Sequence, residues 1–228
     1  MVDPASIAIS VLSLAVSATT AWLTLFRRGT VKMTQPTVIY FGPEKPRAGD
    51  SGPWPKVYLR TLLFATSRRG RVIESMHVTL AHNETRQTFN IWVHGDENLV
   101  RGSGLFVGES GVAANHHFLA PRDGTAFQFS AGRYRLDVYA RLLGDAAPTL
   151  LFSEQLEVSK EVAQALKGPA TGVYFDWGPD SSQYLPHVDK RLPSPDPAEL
   201  IEALGLAMRS SPPTETRLAP SEPPRPPS

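Results

Sequence analysis

The chain has 228 residues and a net charge of +1, with 41% hydrophobic and 20% charged residues, the make-up of an ordinary folded domain with appendages. A charge so balanced supplies no bulk attraction to nucleic acid, which is not expected as a partner. With zero cysteines the chain has no disulfide framework, no thiolate metal site and no cysteine nucleophile.

From Ala5 to Phe26 the sequence is uncharged, and Arg27 and Arg28 close the run. These 22 residues span roughly 33 Å at about 1.5 Å each, enough to cross a hydrocarbon core of about 30 Å. Residues 5–26 are therefore expected to form a single transmembrane helix, followed by a juxtamembrane linker over 27–36. The start, Met1-Val2-Asp3-Pro4, lacks the basic residues that open a cleaved signal peptide. Arg27, Arg28 and Lys32 follow the helix while no basic residue precedes it, so the positive-inside bias predicts an N-terminus outside and a cytoplasmic β-domain. Within the helix, Ser6, Ser10, Ser13, Ser17, Thr20 and Thr24 recur at steps of 3 or 4 and share one face. Small side chains let helices approach closely in lipid, so the seam is expected to pair this helix with itself or with another membrane helix. The opposing reading is a plain anchor whose hydroxyls bond back to their own carbonyls four residues earlier.

From Thr37 to about Ser159, short runs of alternating apolar and polar residues are separated by turn residues, which predicts an all-β domain over 37–159. In the clearest strand Tyr134, Leu136, Val138, Ala140 and Leu142 fall on one face, while Arg133, Arg135, Asp137, Tyr139 and Arg141 fall on the other. Val57, Leu59, Leu63 and Ala65 alternate in a second strand, Met76, Val78 and Leu80 in a third, and Phe89, Ile91 and Val93 in a fourth. About seven to nine such strands favour an antiparallel two-sheet sandwich over a ligand-filled barrel. Phe127 and Phe129 lead through Ser130-Ala131-Gly132 to Tyr134, a pattern resembling the tyrosine corner of immunoglobulin-like sandwiches, which makes that topology the expectation.

The run from Arg101 to Gly111 is glycine-rich, but a P-loop needs Gly-Lys-Ser/Thr leading into a helix, and a dinucleotide fingerprint also needs a following helix. Leu105-Phe106-Val107 is strand-like, so a glycine-flanked hairpin is expected and no nucleotide. Gly108-Glu109-Ser110-Gly111 is not the Gly-x-Ser-x-Gly of a nucleophile elbow. His116 and His117, being adjacent, point to opposite faces of a strand, and with His77, His82 and His94 they show no chelating spacing. No metal, cofactor or catalytic residue is expected.

A short helix is expected from Ser159 to Lys167, ended by Gly168-Pro169. The rest of 160–192 is an aromatic-rich extended segment in which Tyr174, Asp176, Trp177, Asp180 and Tyr184 are the candidate partner-binding residues, since Trp and Tyr give contact area at low rotamer cost. Alternatively the segment pads a sheet edge. The tail, 193–228, holds 10 of the 21 prolines and is expected to be mostly disordered. It contains one amphipathic run at 198–208, where Leu200, Ile201, Leu204 and Met208 share a face.

The stretches WLTLFRRGTVKMTQPTVIYFGP, FNIWVHGD, RGSGLFVGESGVAANHHFL and GVYFDWGPDSSQY resemble an uncharacterised bacterial family with one N-terminal membrane helix and a β-rich domain. The resemblance implies the bacterial inner membrane and carries over no activity. The expected function is a membrane-anchored protein-interaction module with a possible cytoplasmic protein partner. The alternatives are an envelope-facing ligand-binding module of inverted topology, using exposed aromatics such as Trp92 or Trp177, and in third place an enzyme without a recognisable linear motif.

Overall fold

In the computed structural model, which describes residues 3–23, 28–44, 54–95, 100–102, 104–121, 127–168 and 171–190, the N-terminal apolar run forms helix α1, Pro4–Ala21. Asp3 caps it by accepting from the Ala5 amide at 3.1 Å, and Pro4 occupies the first turn, where a missing N–H costs nothing. The helix is long and apolar enough to cross a membrane, and none of its residues is buried. Inside it, Ser10 donates to the Ser6 carbonyl, Thr19 to Ala15 and Thr20 to Val16, each at 2.8 Å. Two seam hydroxyls are thus satisfied within the helix, and any association along the seam draws on packing of small side chains. Thr24 lies outside the described residues.

The strands are β1 Val31–Met33, β2 Val38–Glu44, β3 Trp54–Ala65, β4 Arg71–His82, β5 Thr85–Phe89, β6 Ile91–His94, β7 Val100–Arg101 and β8 Leu105–Val107. They continue with β9 Val112–Leu119, β10 Gly132–Leu142 and β11 Thr149–Val158, then helix α2 Lys160–Ala165, β12 Thr171–Gly178 and β13 Gln183–Lys190. One sheet has the order β13-β12-β2-β3-β9-β6-β7 with β1 also on β3, and the other has β11-β10-β4-β5 with β8 also on β4. Within them β2-β3-β9-β6 faces β11-β10-β4-β5, the A-B-E-D and G-F-C-C′ orders of an immunoglobulin-like sandwich.

Period-2 alternation builds the core. Val57, Leu59, Leu63 and Ala65 of β3, Met76, Val78 and Leu80 of β4, and Leu136, Val138, Ala140 and Leu142 of β10 are all buried between the sheets. Each large aliphatic side chain removed from water contributes roughly 1.5–3 kcal/mol before the entropy of ordering it. Tyr134 opens β10 as a tyrosine corner, its hydroxyl donating to the Ser130 carbonyl at 3.0 Å and accepting from the Ser130 amide at 2.8 Å.

Several expectations require correction. Phe89, Ile91 and Val93 do not share one strand: β5 ends at Phe89 in one sheet and β6 starts at Ile91 in the other. The alternation resets at this crossing, so Trp92 is buried while Ile91 and Val93 are half-buried. The stretch from Arg101 to Gly111 is not a hairpin, because β7 pairs with β6 and β8 with β4, in different sheets. Gly102 lies against the Trp92 ring where a Cβ would clash, and Gly104 has φ +80°, so glycine makes this crossing possible. Asp137, expected on the solvent face, is buried, with its carboxylate satisfied by Ser153 Oγ at 2.6 Å and Arg135 Nε at 3.1 Å.

The sheets also extend past 37–159 at both ends. Val31 of β1 is buried within the expected linker, and β12 and β13 add a hairpin outside β2. Between β11 and β12, α2 is capped by Ser159, whose hydroxyl accepts from the Val162 amide at 3.2 Å, and buries Ala163. The tail, including the run at 198–208, lies outside the described residues.

Candidate functional site

Strand register assembles one feature that linear spacing does not display. His187 of β13, Tyr174 of β12, Tyr40 of β2, Tyr58 of β3 and His117 of β9 are successive partners across five strands. Their neighbours Val173, Phe175, Ile39, Phe41, Val57, Leu59, His116 and Phe118 are the buried residues, so alternation turns this row to the outer face of the eight-stranded sheet. The rings touch: Tyr174 stacks on His187 with centroids 5.3 Å apart, Tyr40 meets Tyr174 at 4.7 Å, and Tyr58 meets His117 at 4.9 Å.

Tyr40 forms the floor. It is 1% exposed and lies across Gly42 and Gly172, either of which would drive a Cβ into its ring or hydroxyl. Lys56 Nζ sits 5.6 Å from the ring centroid and pairs with Glu44 at 2.6 Å, closing the row on that side. On the other side, Asp176 and Arg60 are exposed: Asp176 pairs with His187 Nδ1 at 2.8 Å, and Arg60 donates to Asn115 Oδ1 at 2.9 Å. Tyr58 donates to the same oxygen at 2.9 Å. Half-buried Tyr58, His117 and Tyr174 flank the buried Tyr40, and with exposed His187, a guanidinium and a carboxylate they make a surface suited to binding.

The residues expected from sequence divide. Tyr174 and Asp176 belong to this face. Trp177 and Tyr184 project from the opposite side of the hairpin, where they are register partners with ring centroids 5.1 Å apart. Tyr184 donates to the Pro36 carbonyl at 2.8 Å and accepts from Gln35 Nε2 at 3.1 Å, fastening the hairpin to the sheet. Burial, reinforced by Glu154 and opposed by the Gln35 hydrogen bond, pushes the Tyr184 hydroxyl above the ordinary tyrosine range and keeps it a donor. Asp180 is exposed in the turn between the strands, outside the row. Trp92, named as a possible exposed aromatic, is buried and donates to His116 Nδ1 at 3.2 Å.

Tyr40, Tyr58, Arg60, Asn115, His117 and His187 were missed. Tyr40 and Tyr58 each stand between two apolar residues that occupy the core face, and that interruption of the period was the only available signal.

On the outer face of the second sheet, His77 stacks on Tyr139 with centroids 5.1 Å apart. Burial, then the Arg86 charge, lowers the affinity of His77 for a proton. Among the described residues no three His, Asp or Glu side chains are placed to hold a metal ion. The two antiparallel sheets define an all-β sandwich behind an apolar N-terminal helix. No protein-family model and no curated protein sequence matches the chain.

Proposed function

We propose that this chain is a membrane-anchored protein-interaction module, held in the bacterial inner membrane by α1, with its sandwich in the cytoplasm. The observation that carries the interaction is the row His187–Tyr174–Tyr40–Tyr58–His117 on the outer face of the eight-stranded sheet. Partly exposed Tyr58 and Tyr174 on either side of buried Tyr40, with Arg60 at the rim, are the composition that protein interfaces favour. Anchoring is supported by α1, none of whose residues is buried by the other described residues and whose apolar surface gains about 25 cal/mol per Å² on leaving water. The seam Ser6, Ser10, Ser13, Ser17, Thr20 and Thr24 would add self-pairing, or pairing with another membrane helix.

Site-directed photo-crosslinking tests the face. With a photoreactive amino acid at exposed His187, membranes should yield a crosslinked species of discrete mass. The same probe at Glu157, an exposed position in the other sheet, should not. Equal yields at both positions, or none at His187, would contradict the proposal.

A further inference from the structure

The chain from Arg28 to Thr30 is stitched into one pole of the sandwich. The Arg28 carbonyl accepts from Ser67 Oγ at 3.2 Å, Thr30 and Thr66 bond to each other at 2.8 and 2.9 Å, and Arg71 donates to the Gly29 carbonyl at 3.0 Å. Arg71 also reaches the Leu143 carbonyl at 3.3 Å and Asp145 at 2.7 Å. The turns after β3, β8 and β10 therefore meet at the end of the sandwich that the helix enters. Five residue steps separate Leu23 from Arg28, a reach of at most about 18 Å, so this pole cannot leave the neighbourhood of the helix end.

The pole exposes two apolar side chains, Phe106 at 57% and Leu143 at 57%. Around them Arg28, Arg68 and Arg69 are exposed, against Glu109, which stands 4.0 Å from Arg68. Guanidinium groups bind phosphate oxygens bidentately, and apolar side chains beside them fit the boundary between headgroup and acyl chain. We propose that this pole docks on an anionic bilayer surface, with Phe106 and Leu143 at headgroup depth and Arg28, Arg68 and Arg69 on lipid phosphates. The proposal rests on α1 being the membrane anchor. Docking would set the strands across the membrane plane and turn the ring-lined face sideways, toward neighbours in the same membrane.

Spin labels on single cysteines in the full chain test this in nanodiscs of phosphatidylcholine with or without phosphatidylglycerol. Collision with oxygen and with a water-soluble nickel chelate reports depth. A label at Leu12 should be immersed in both lipids, and one at Glu84, in the turn at the opposite pole, should stay aqueous. Labels at Phe106 and Leu143 should lose nickel accessibility when phosphatidylglycerol is present, and Arg68→Glu with Arg69→Glu should restore it without moving Leu12. If Leu12 is immersed while Phe106 and Leu143 remain aqueous in both lipids, docking is wrong although the anchor stands; an aqueous Leu12 removes the anchor itself. Equal immersion of the pole in both lipids would contradict the role given to the arginines.

Discussion

At the scale of single residues, Tyr134 and two histidines make the sharpest claims. The Tyr134 hydroxyl holds both the amide and the carbonyl of exposed Ser130, so Tyr134→Phe should cost about 0.5–1.5 kcal/mol, the net worth of a hydrogen bond whose partners can turn to water. Chemical denaturation of the full chain in detergent would measure the loss, and an unchanged midpoint would deny the corner its structural role. His77 and His94 both have proton affinities lowered from the ordinary 6.5, His77 by burial and Arg86, His94 by burial. On acidification the unfolded chain takes up these protons first. The stability they contribute is therefore present above about pH 6.5 and lost as pH falls below it toward the depressed folded values. The thermal midpoint should drop over that window less steeply in a His77→Asn, His94→Asn variant, and an undiminished slope in the variant would refute the assignment.

At the scale of elements, the hairpin β12–β13 depends on Gly172 as much as on its aromatics. A Cβ at Gly172 would meet the Tyr40 ring, so Gly172→Ala should destabilise by about 1–3 kcal/mol through overpacking and should disturb the ring-lined face. Retained stability together with retained crosslinking from His187 would show that Tyr40 is not the floor of that face. For α1, replacing Ser10, Ser13 and Ser17 with Leu should abolish crosslinking between helices in the membrane, whereas unchanged crosslinking would leave α1 a plain anchor. Legibility also divides at this scale. Strands such as Val57 to Ala65 and Tyr134 to Leu142 could be read in phase because one face is apolar throughout or nearly so, although Tyr58 and the buried Asp137 on their other faces were not anticipated. The 89–93 stretch could not, since Asn90 hides a change of sheet, and β12 hid its alternation by burying Gly172 and Val173 alike. The ring row was illegible because it depends on register between strands as far apart in sequence as Tyr58 and His187, which no local pattern encodes.

At the scale of the whole molecule, an apolar N-terminal helix and a two-sheet sandwich were both readable, the first from an uncharged run and the second from repeated short alternations. The extent of the sheet was not, because Val31 and the β12–β13 hairpin join it through pairing rather than through a distinctive composition. The central proposal, a cytoplasmic domain hung from a membrane helix, draws on the basic flank after α1 and is open to a direct measurement. The chain contains zero cysteines, so single cysteines at Val2 and at exposed Glu84 can be labelled in intact cells with a thiol reagent that does not cross the inner membrane. Labelling at position 2 alone is the predicted result; labelling at position 84 alone would contradict it and place the sandwich outside the cytoplasm.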